Sequence, residues 1–267
     1  MATIGLSTYA FFWRLSDRVS APLSIHQAIE RTAELGVDLF QICDYAPLET
    51  MSESELAAVA TTARDAGVGL EVGTKGIRSA QLTRFLHVAQ ALDARLLRTM
   101  FNSPGHTPSM DEAEDLLRSA LPDFEHAGVR IAIETYEQVP TADLMHVVDR
   151  IDSLFLGICS DPANTVAALE NPNEVIGRIA PRVLNMHVKD FAFTRRDGWV
   201  GFTLAGAPLG TGLLDYDHMV DAIRPYDRNI NQIIEHWLPW QDDEASTIRL
   251  EAEWTARSLD FLRRKQP

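Results

Sequence analysis

Four side chains able to bind a metal follow one another along the second half of the chain, each at the end of a short apolar run. They are Glu134 closing "RIAIE", Asp161 closing "LGICSD", His187 in "LNMHV" and Glu235 in "QIIEH". Three carboxylates and an imidazole suit a hard divalent cation, Mn²⁺ first with Mg²⁺, Co²⁺ or Zn²⁺ as alternatives, better than a thiolate site would. Each carboxylate alone could instead cap a strand end or pair with a base. Together, at four successive strand ends, they favour one shared metal with positions open to substrate oxygens.

The stretch "VLNMHVKDF" places a histidine and a lysine where an apolar run should end. Strand alternation turns Asn185, His187 and Lys189 to one face and Met186 and Val188 to the other. Burying an isolated charge costs several kcal/mol, so such groups need a partner. We therefore expect the polar face to line a site that holds a metal or a substrate.

The elements that must position these residues alternate between strand and helix. Short β-type runs begin at residues 3, 38, 68, 95, 129, 154, 182 and 231, each followed by a helical stretch. This alternation predicts a (β/α)8 TIM barrel, a single domain over residues 1–267, with its active site at the carboxyl ends of the strands. An open doubly wound sheet is the alternative, but no GxGxxG turn follows the first run. The long segment "FAFTRRDGWVGFTLAGAPLGTG" of the seventh unit is predicted to be a loop over that face.

Composition and charge restrict the classes of partner. The chain has 267 residues, of which 46% are hydrophobic, and a formal net charge of −14. No apolar run is long enough to span a bilayer, and the amino terminus has no secretory pattern, so we expect a cytoplasmic protein without a membrane partner. The negative charge argues against a nucleic-acid partner. We expect a small-molecule sugar or sugar-acid substrate and a homo-oligomer.

A set of motifs in the second half resembles a known family. In order, "IAIETYE", "SDPANTV", "NMHVKDF", "PLGTGLLDY" and "IIEHW" are similar to the sugar phosphate isomerase/epimerase group of xylose isomerase-like TIM barrels. The resemblance implies that Glu134, Asp161, His187 and Glu235 hold the metal. It also implies that Glu134 and Glu235 are the catalytic acid/base pair. The implied reaction is isomerisation or epimerisation of a ketose or related small sugar through a metal-stabilised enediolate.

Two departures from that pattern open a second reading of the reaction. Asn164 follows Asp161 where many sugar epimerases of this kind have a histidine. Lys75 follows the third strand, where many members have a second histidine. A metal-stabilised enediolate also results from loss of CO₂. The alternative is therefore a metal-dependent decarboxylase or lyase of a 3-oxo sugar acid, since third strands of the "EVGT" type resemble those of 3-oxo-isoapionate decarboxylases.

Further polar residues are candidate substrate contacts. Besides Asn164 and Lys75, we expect Lys189 and the adjacent Arg195 and Arg196 to bind substrate oxygens, because cations fix hydroxyl, carboxylate or phosphate groups. Glu71 and Arg98, inward on neighbouring strands, are expected to pair with each other.

Two other functions are weaker alternatives. Endonuclease IV-like DNA repair shares the barrel, but it would need extra metal ligands and a basic groove, which the charge of −14 opposes. A non-catalytic sugar-binding barrel would have no need for two acid/base carboxylates.

Overall fold

A computed structural model describes residues 2–196, 198 and 200–267 of the chain, and the strands predicted from the sequence form its centre. There are ten strands among the described residues: β1 Ile4–Ser7, β2 Leu39–Ile42, β3 Gly69–Gly73, β4 Leu96–Thr99, β5 Arg130–Glu134, β6 Leu156–Ser160, β7 Val183–Val188, β8 Phe191–Arg195, β9 Phe202–Gly206 and β10 Asn231–Ile234. Strands β1 to β7 and β10 form a closed barrel of parallel strands in the order β1-β10-β7-β6-β5-β4-β3-β2. The prediction of a (β/α)8 barrel is confirmed, and the open sheet is excluded.

Helices follow the barrel strands and cover their outer face. They are α1 Ile25–Glu34, α2 Pro47–Thr50, α3 Glu53–Ala66, α4 Ser79–Ala91, α5 Met110–Ala127, α6 Thr141–Ile151, α7 Pro162–Ala167, α8 Pro172–Ile179, α9 Tyr216–Ile223, α10 Pro225–Arg228 and α11 Glu244–Lys265. Short 3₁₀ helices span Thr8–Phe11 and Ala180–Arg182. No helix in the described part of the chain is both long and apolar enough to cross a membrane.

Capping residues explain where the main helices begin and end. Ser24 and Ser52 cap α1 and α3 with reciprocal capping boxes, in which the side chain of the third helical residue bonds back to the cap. Gly67 and Gly128 end α3 and α5 with φ values of 69° and 68°, a left-handed conformation in which a side chain would be strained. These two glycines therefore fix where the helices end and the chain turns into the next strand.

One hydrophobic layer, between the strands and the helices around them, holds the barrel together. Side chains such as Leu6, Phe40, Val72 and Ile158 point outward and pack against the helices in one continuous buried cluster. The barrel interior is different, because apart from a small group around Leu96 it is lined mostly by polar side chains towards the carboxyl ends of the strands. This arrangement leaves the interior free for chemistry while the outer layer supplies the apolar burial.

The long segment after β7 is a β-hairpin, where the sequence predicted a loop. Strands β8 and β9 pair antiparallel, with Phe193 opposite Leu204. The segment after the hairpin is fastened by Asp190, whose carboxylate accepts backbone hydrogen bonds from Gly210, Gly212 and Leu214, each 2.9 Å long. The segment does join β7 to the next helix, α9, as predicted, but the hairpin inside it was not predicted, because "FAFTR" changes from apolar to polar along its length instead of alternating.

Candidate active site

The four predicted metal ligands meet at the carboxyl end of the barrel. Glu134 is the last residue of β5, Asp161 directly follows β6, His187 lies in β7 and Glu235 directly follows β10. All four are at most 2% exposed. His187 Nδ1 lies 3.3 Å from Glu134 Oε1, 3.5 Å from Asp161 Oδ2 and 3.5 Å from Glu235 Oε2. One imidazole nitrogen therefore faces three carboxylates.

The donor set fits a divalent cation. His187 Nδ1 is buried and has no hydrogen-bond partner among the described residues, which is costly unless another group satisfies it. Ligand atoms of Glu134, Asp161 and His187 lie within 4.8 Å of one another, and a second such group combines His187 and Glu235 with Cys43. The Cys43 thiol instead donates a 2.9 Å hydrogen bond to Gln41 Oε1, and burial raises its pKa, which disfavours the thiolate that a metal would need. The hard oxygen set is the better fit.

Lys189 places a buried ammonium among the same carboxylates. Its Nζ lies 2.7 Å from Asp161 Oδ2 and 3.0 Å from Glu235 Oε2. The ring centroids of Trp237 and Tyr9 lie 4.6 Å and 5.7 Å from it, within the range of cation–π attraction. Burial alone would lower the pKa of this amine, but the two carboxylates outweigh burial and raise it. The ammonium in turn overcomes the effect of burial on Asp161 and holds the pKa of that carboxyl low.

Glu134 is engaged by two further side chains. The guanidinium of Arg98, on the adjacent strand β4, contacts Glu134 Oε2, and its Nη1 lies 3.5 Å from Asp44 Oδ1. Asn164 Nδ2 donates to Glu134 Oε1 over 2.9 Å, so this amide faces the glutamate. The expected pair between Glu71 and Arg98 is wrong. Alternation placed both inside the barrel but could not say which acid each would reach.

Asp44 links the site to the solvent. Its Oδ2 accepts a 2.6 Å hydrogen bond from the Tyr9 hydroxyl and lies 3.1 Å from Lys75 Nζ. The site opens into a cavity of about 320 Å³, whose walls include Tyr9, Asp44, Lys75, Glu235 and Trp237. The Lys75 side chain is 44% exposed, and a neighbouring cavity of about 440 Å³ shares Lys75 and Asp44 with the first.

The structure does not bring the two arginines of the hairpin to this cavity. Arg195 and Arg196 are exposed, and with Val200 and Thr203 they line a separate surface cavity. The Arg195 guanidinium stacks 4.8 Å from the ring centroid of Phe202. They follow His187 closely in sequence, but the hairpin carries them outward.

Two residues of the site were missed in the sequence. Asp44 directly follows the run "LFQIC", so the rule that predicted the four ligands, reading the residue at each strand end, also applies to it. Tyr9 lies in the 3₁₀ helix after β1, where the sequence gives no signal for a hydroxyl directed at Asp44.

Comparison with known proteins identifies the family. A model of the xylose isomerase-like TIM barrel matches residues 29–265. The chain belongs to the xylose isomerase-like TIM barrel family. Family membership confirms the resemblance that the second-half motifs suggested, and it makes the carboxyl end of the barrel the place to look for chemistry.

Two kinds of relative accompany the family match. A protein of Pectobacterium atrosepticum named 3-oxo-isoapionate decarboxylase is 57% identical over 264 residues, covering 99% of this chain and 96% of the relative. D-psicose 3-epimerase from Clostridium cellulolyticum, solved with D-tagatose, superposes with a TM-score of 0.74 at 15% identity, covering 98% of each chain. A xylose isomerase-like TIM barrel protein from Mycobacterium smegmatis, solved with magnesium, gives 0.71 at 17% identity and 97% coverage of each. At such low identity these structures establish the shared fold alone.

Proposed function

We propose that the protein is a metal-dependent carboxy-lyase that decarboxylates a 3-oxo sugar acid. The 57% identity over almost the whole chain to a relative named 3-oxo-isoapionate decarboxylase supports this alternative better than the epimerase prediction. The substrate class follows from that name, and the site geometry supplies an independent argument.

The contact between Arg98 and Glu134 is the structural observation that favours decarboxylation. An epimerase removes a proton from one face of a planar intermediate and returns one to the other, so it needs two carboxylates free to exchange protons. Here both oxygens of Glu134 are engaged, one by the Arg98 guanidinium and the other by the Asn164 amide. A guanidinium and an amide do not exchange protons readily, so Glu134 is suited to a fixed ligand. Glu235 instead contacts the Ser7 hydroxyl over 3.0 Å and the Lys189 ammonium over 3.0 Å, two groups that can pass protons. A decarboxylase needs a proton donor on only one face of the intermediate, because the intermediate takes up a single proton.

The reaction balances without an added oxidant or base. In a 3-oxo acid the bond between the carboxyl carbon and its neighbour breaks, and the electron pair moves towards the ketone to form an enediolate. CO₂ leaves, and one proton is added to the neighbouring carbon to give the ketose. In this proposal the proton arrives from the side of Glu235 and Lys189, which lie 3.0 Å apart.

The residues of the site divide the remaining tasks. Glu134, Asp161, His187 and Glu235 would hold a divalent cation, which supplies Lewis-acid stabilisation of the developing negative charge. The Lys189 ammonium adds a second positive charge beside the substrate oxygen on which this negative charge develops. Lys75 is exposed to both cavities, so we assign it to the substrate carboxylate.

The test is an assay with a synthetic 3-oxo sugar acid in deuterated water after loading the protein with Mn²⁺. We expect CO₂ release, a ketose product with one solvent deuterium at the carbon that lost CO₂, and a single stereoisomer of that product. A neutral ketose given alone should yield no epimer. Epimer formation without CO₂ release would support the epimerase prediction instead.

Substitution of the two glutamates tests their different roles. Glu235→Gln should lower turnover at least about a hundredfold, because the amide cannot take part in proton transfer. Glu134→Gln should act mainly by weakening metal binding, so raising the Mn²⁺ concentration should restore part of its turnover. Equal responses of both variants to added Mn²⁺ would contradict the separate roles.

A further inference from the structure

A chain of buried hydrogen bonds leads from the far side of the His187 ring into the barrel. His187 Nε2 lies 2.8 Å from Gln41 Oε1, and Gln41 Nε2 donates to Glu71 Oε2 over 2.8 Å. All three residues are at most 4% exposed. None of these contacts is needed to close the barrel, because the strands are already paired through their backbones.

The partners of Glu71 fix the orientation of the Gln41 amide. Glu71 accepts from Asn185 Nδ2 over 3.0 Å and from Asn231 Nδ2 over 2.7 Å, so three amide groups donate to one carboxylate. Gln41 must therefore turn its NH₂ group to Glu71 and its oxygen to His187. The Cys43 thiol, 2.9 Å away, donates to the same oxygen and reinforces that orientation.

The orientation of Gln41 decides which nitrogen of His187 can bind a metal. An amide oxygen can only accept, so Nε2 must carry a proton, and Nδ1 is then the nitrogen whose lone pair is available to a ligand. Nδ1 is the nitrogen that faces Glu134, Asp161 and Glu235. We infer that Gln41 and Glu71 are positioning residues that fix the ring tautomer of His187 for metal binding. This inference rests on the proposed metal site.

Strand register explains why these residues meet. Gln41 and Glu71 are directly paired across β2 and β3, and Asn185 and Asn231 are directly paired across β7 and β10. Their side chains point inward and form a polar layer directly below the site. Groups behind a metal ligand orient it and raise its basicity, and their loss typically costs tenfold to hundredfold in metal affinity.

Metal affinity is the first test. Gln41→Met keeps the volume but removes the acceptor, and we expect it to lower Mn²⁺ affinity about tenfold to hundredfold in a titration followed by electron paramagnetic resonance. Gln232→Met is the matched control. Gln232 is also a buried strand glutamine, but its partner is the Tyr216 hydroxyl outside the barrel. If both variants bind Mn²⁺ within about threefold of wild type, the inference is overturned.

A double variant separates positioning from general disruption of the core. In Gln41→Glu combined with Glu71→Gln, the carboxylate and the amide exchange places. Rotation of the Asn185 amide by half a turn then gives both groups their hydrogen-bond partners. An acceptor again faces His187 Nε2, so we expect Mn²⁺ affinity within about threefold of wild type. Recovery of folding without recovery of affinity would contradict the inference.

Nuclear magnetic resonance of the His187 ring distinguishes failure of this inference from failure of the proposed function. In the Zn²⁺-loaded wild type we expect metal at Nδ1 and a slowly exchanging proton at Nε2. Metal at Nε2, or a proton that exchanges equally fast in wild type and Gln41→Met, overturns the tautomer assignment. If no divalent ion binds, the proposed metal site fails, and the Nε2 proton of the metal-free protein still decides whether Gln41 holds the ring.

Discussion

The guanidinium of Arg98 contacts the carboxylate of Glu134 inside the barrel, where the two side chains are 4% and 1% exposed. Removing one partner of such a pair leaves an uncompensated buried charge, which typically costs about 3–5 kcal/mol. The pair therefore matters for folding as well as for the proposed reaction, and these two contributions can be measured separately.

Arg98→Met should destabilise the protein by about 3 kcal/mol and lower turnover of the 3-oxo acid at least about a hundredfold. Urea unfolding gives the first quantity and CO₂ release the second. Arg98→Lys keeps the charge but not the fork of donors, and we expect intermediate values for both. Wild-type stability in Arg98→Met would show that Glu134 does not depend on this cation.

The fold could be predicted from the sequence because its signals are local. Each strand run and helix stop is determined within a few residues, and eight repeats favoured the closed barrel over the open sheet. The hairpin was missed because its own local signals are weak. Its strands, residues 191–195 and 202–206, are short and show little alternation of apolar and polar residues.

The site could be predicted only where one rule applied, namely that barrel chemistry gathers at strand ends. That rule selected Glu134, Asp161, His187 and Glu235, whose side chains the structure brings together. It could not predict that Arg98 would pair with Glu134, because alternation gives the direction of a side chain and not its partner. Gln41 left no signal at all, since its significance depends on contacts with residues 30 and 146 positions away.

Metal binding should depend on the buried ligands and not on histidine in general. His187→Ala and Asp161→Asn should each lower Mn²⁺ affinity by an order of magnitude or more, since each removes a donor from a small set. His126→Ala, in an exposed position at the end of α5, is the control and should bind as wild type does. Equal affinities in all three variants would count against the ligand assignment.

Lys75 should affect binding of the 3-oxo acid and leave binding of the metal unchanged. Lys75→Met removes the exposed cation of the cavity, so KM for the 3-oxo acid should rise about tenfold while Mn²⁺ affinity stays the same. Arg196→Met is the matched control, because the structure places this cation on the hairpin away from the cavity. A larger KM effect from Arg196→Met would return the hairpin arginines to the list of substrate contacts.

Glu251 on α11 ties the carboxyl-terminal helix to the loop after β1. Its carboxyl accepts hydrogen bonds from the backbone N–H of Trp13 over 2.7 Å and of Arg14 over 3.3 Å. Burial raises the pKa of this carboxyl from 4.5 to about 7, although the two backbone donors oppose that effect. The folded protein thus holds this proton at a pH where the unfolded chain has lost it.

The contribution of Glu251 to the stability of the protein should therefore fall as the pH rises from 5 to 8. Because the folded pKa is above the unfolded one, the contribution of Glu251 is fully present below pH 4.5 and is lost through pH 7. Glu251→Gln cannot ionise, so its stability should lie within about 1 kcal/mol of wild type at pH 5 and exceed it by about 3 kcal/mol at pH 8. The difference is measured by urea unfolding of both proteins at pH 5, 6, 7 and 8. A chelator is present so that metal binding does not contribute to the pH dependence. Unfolding free energies that stay parallel across this range would show that Glu251 is ionised in the folded protein throughout.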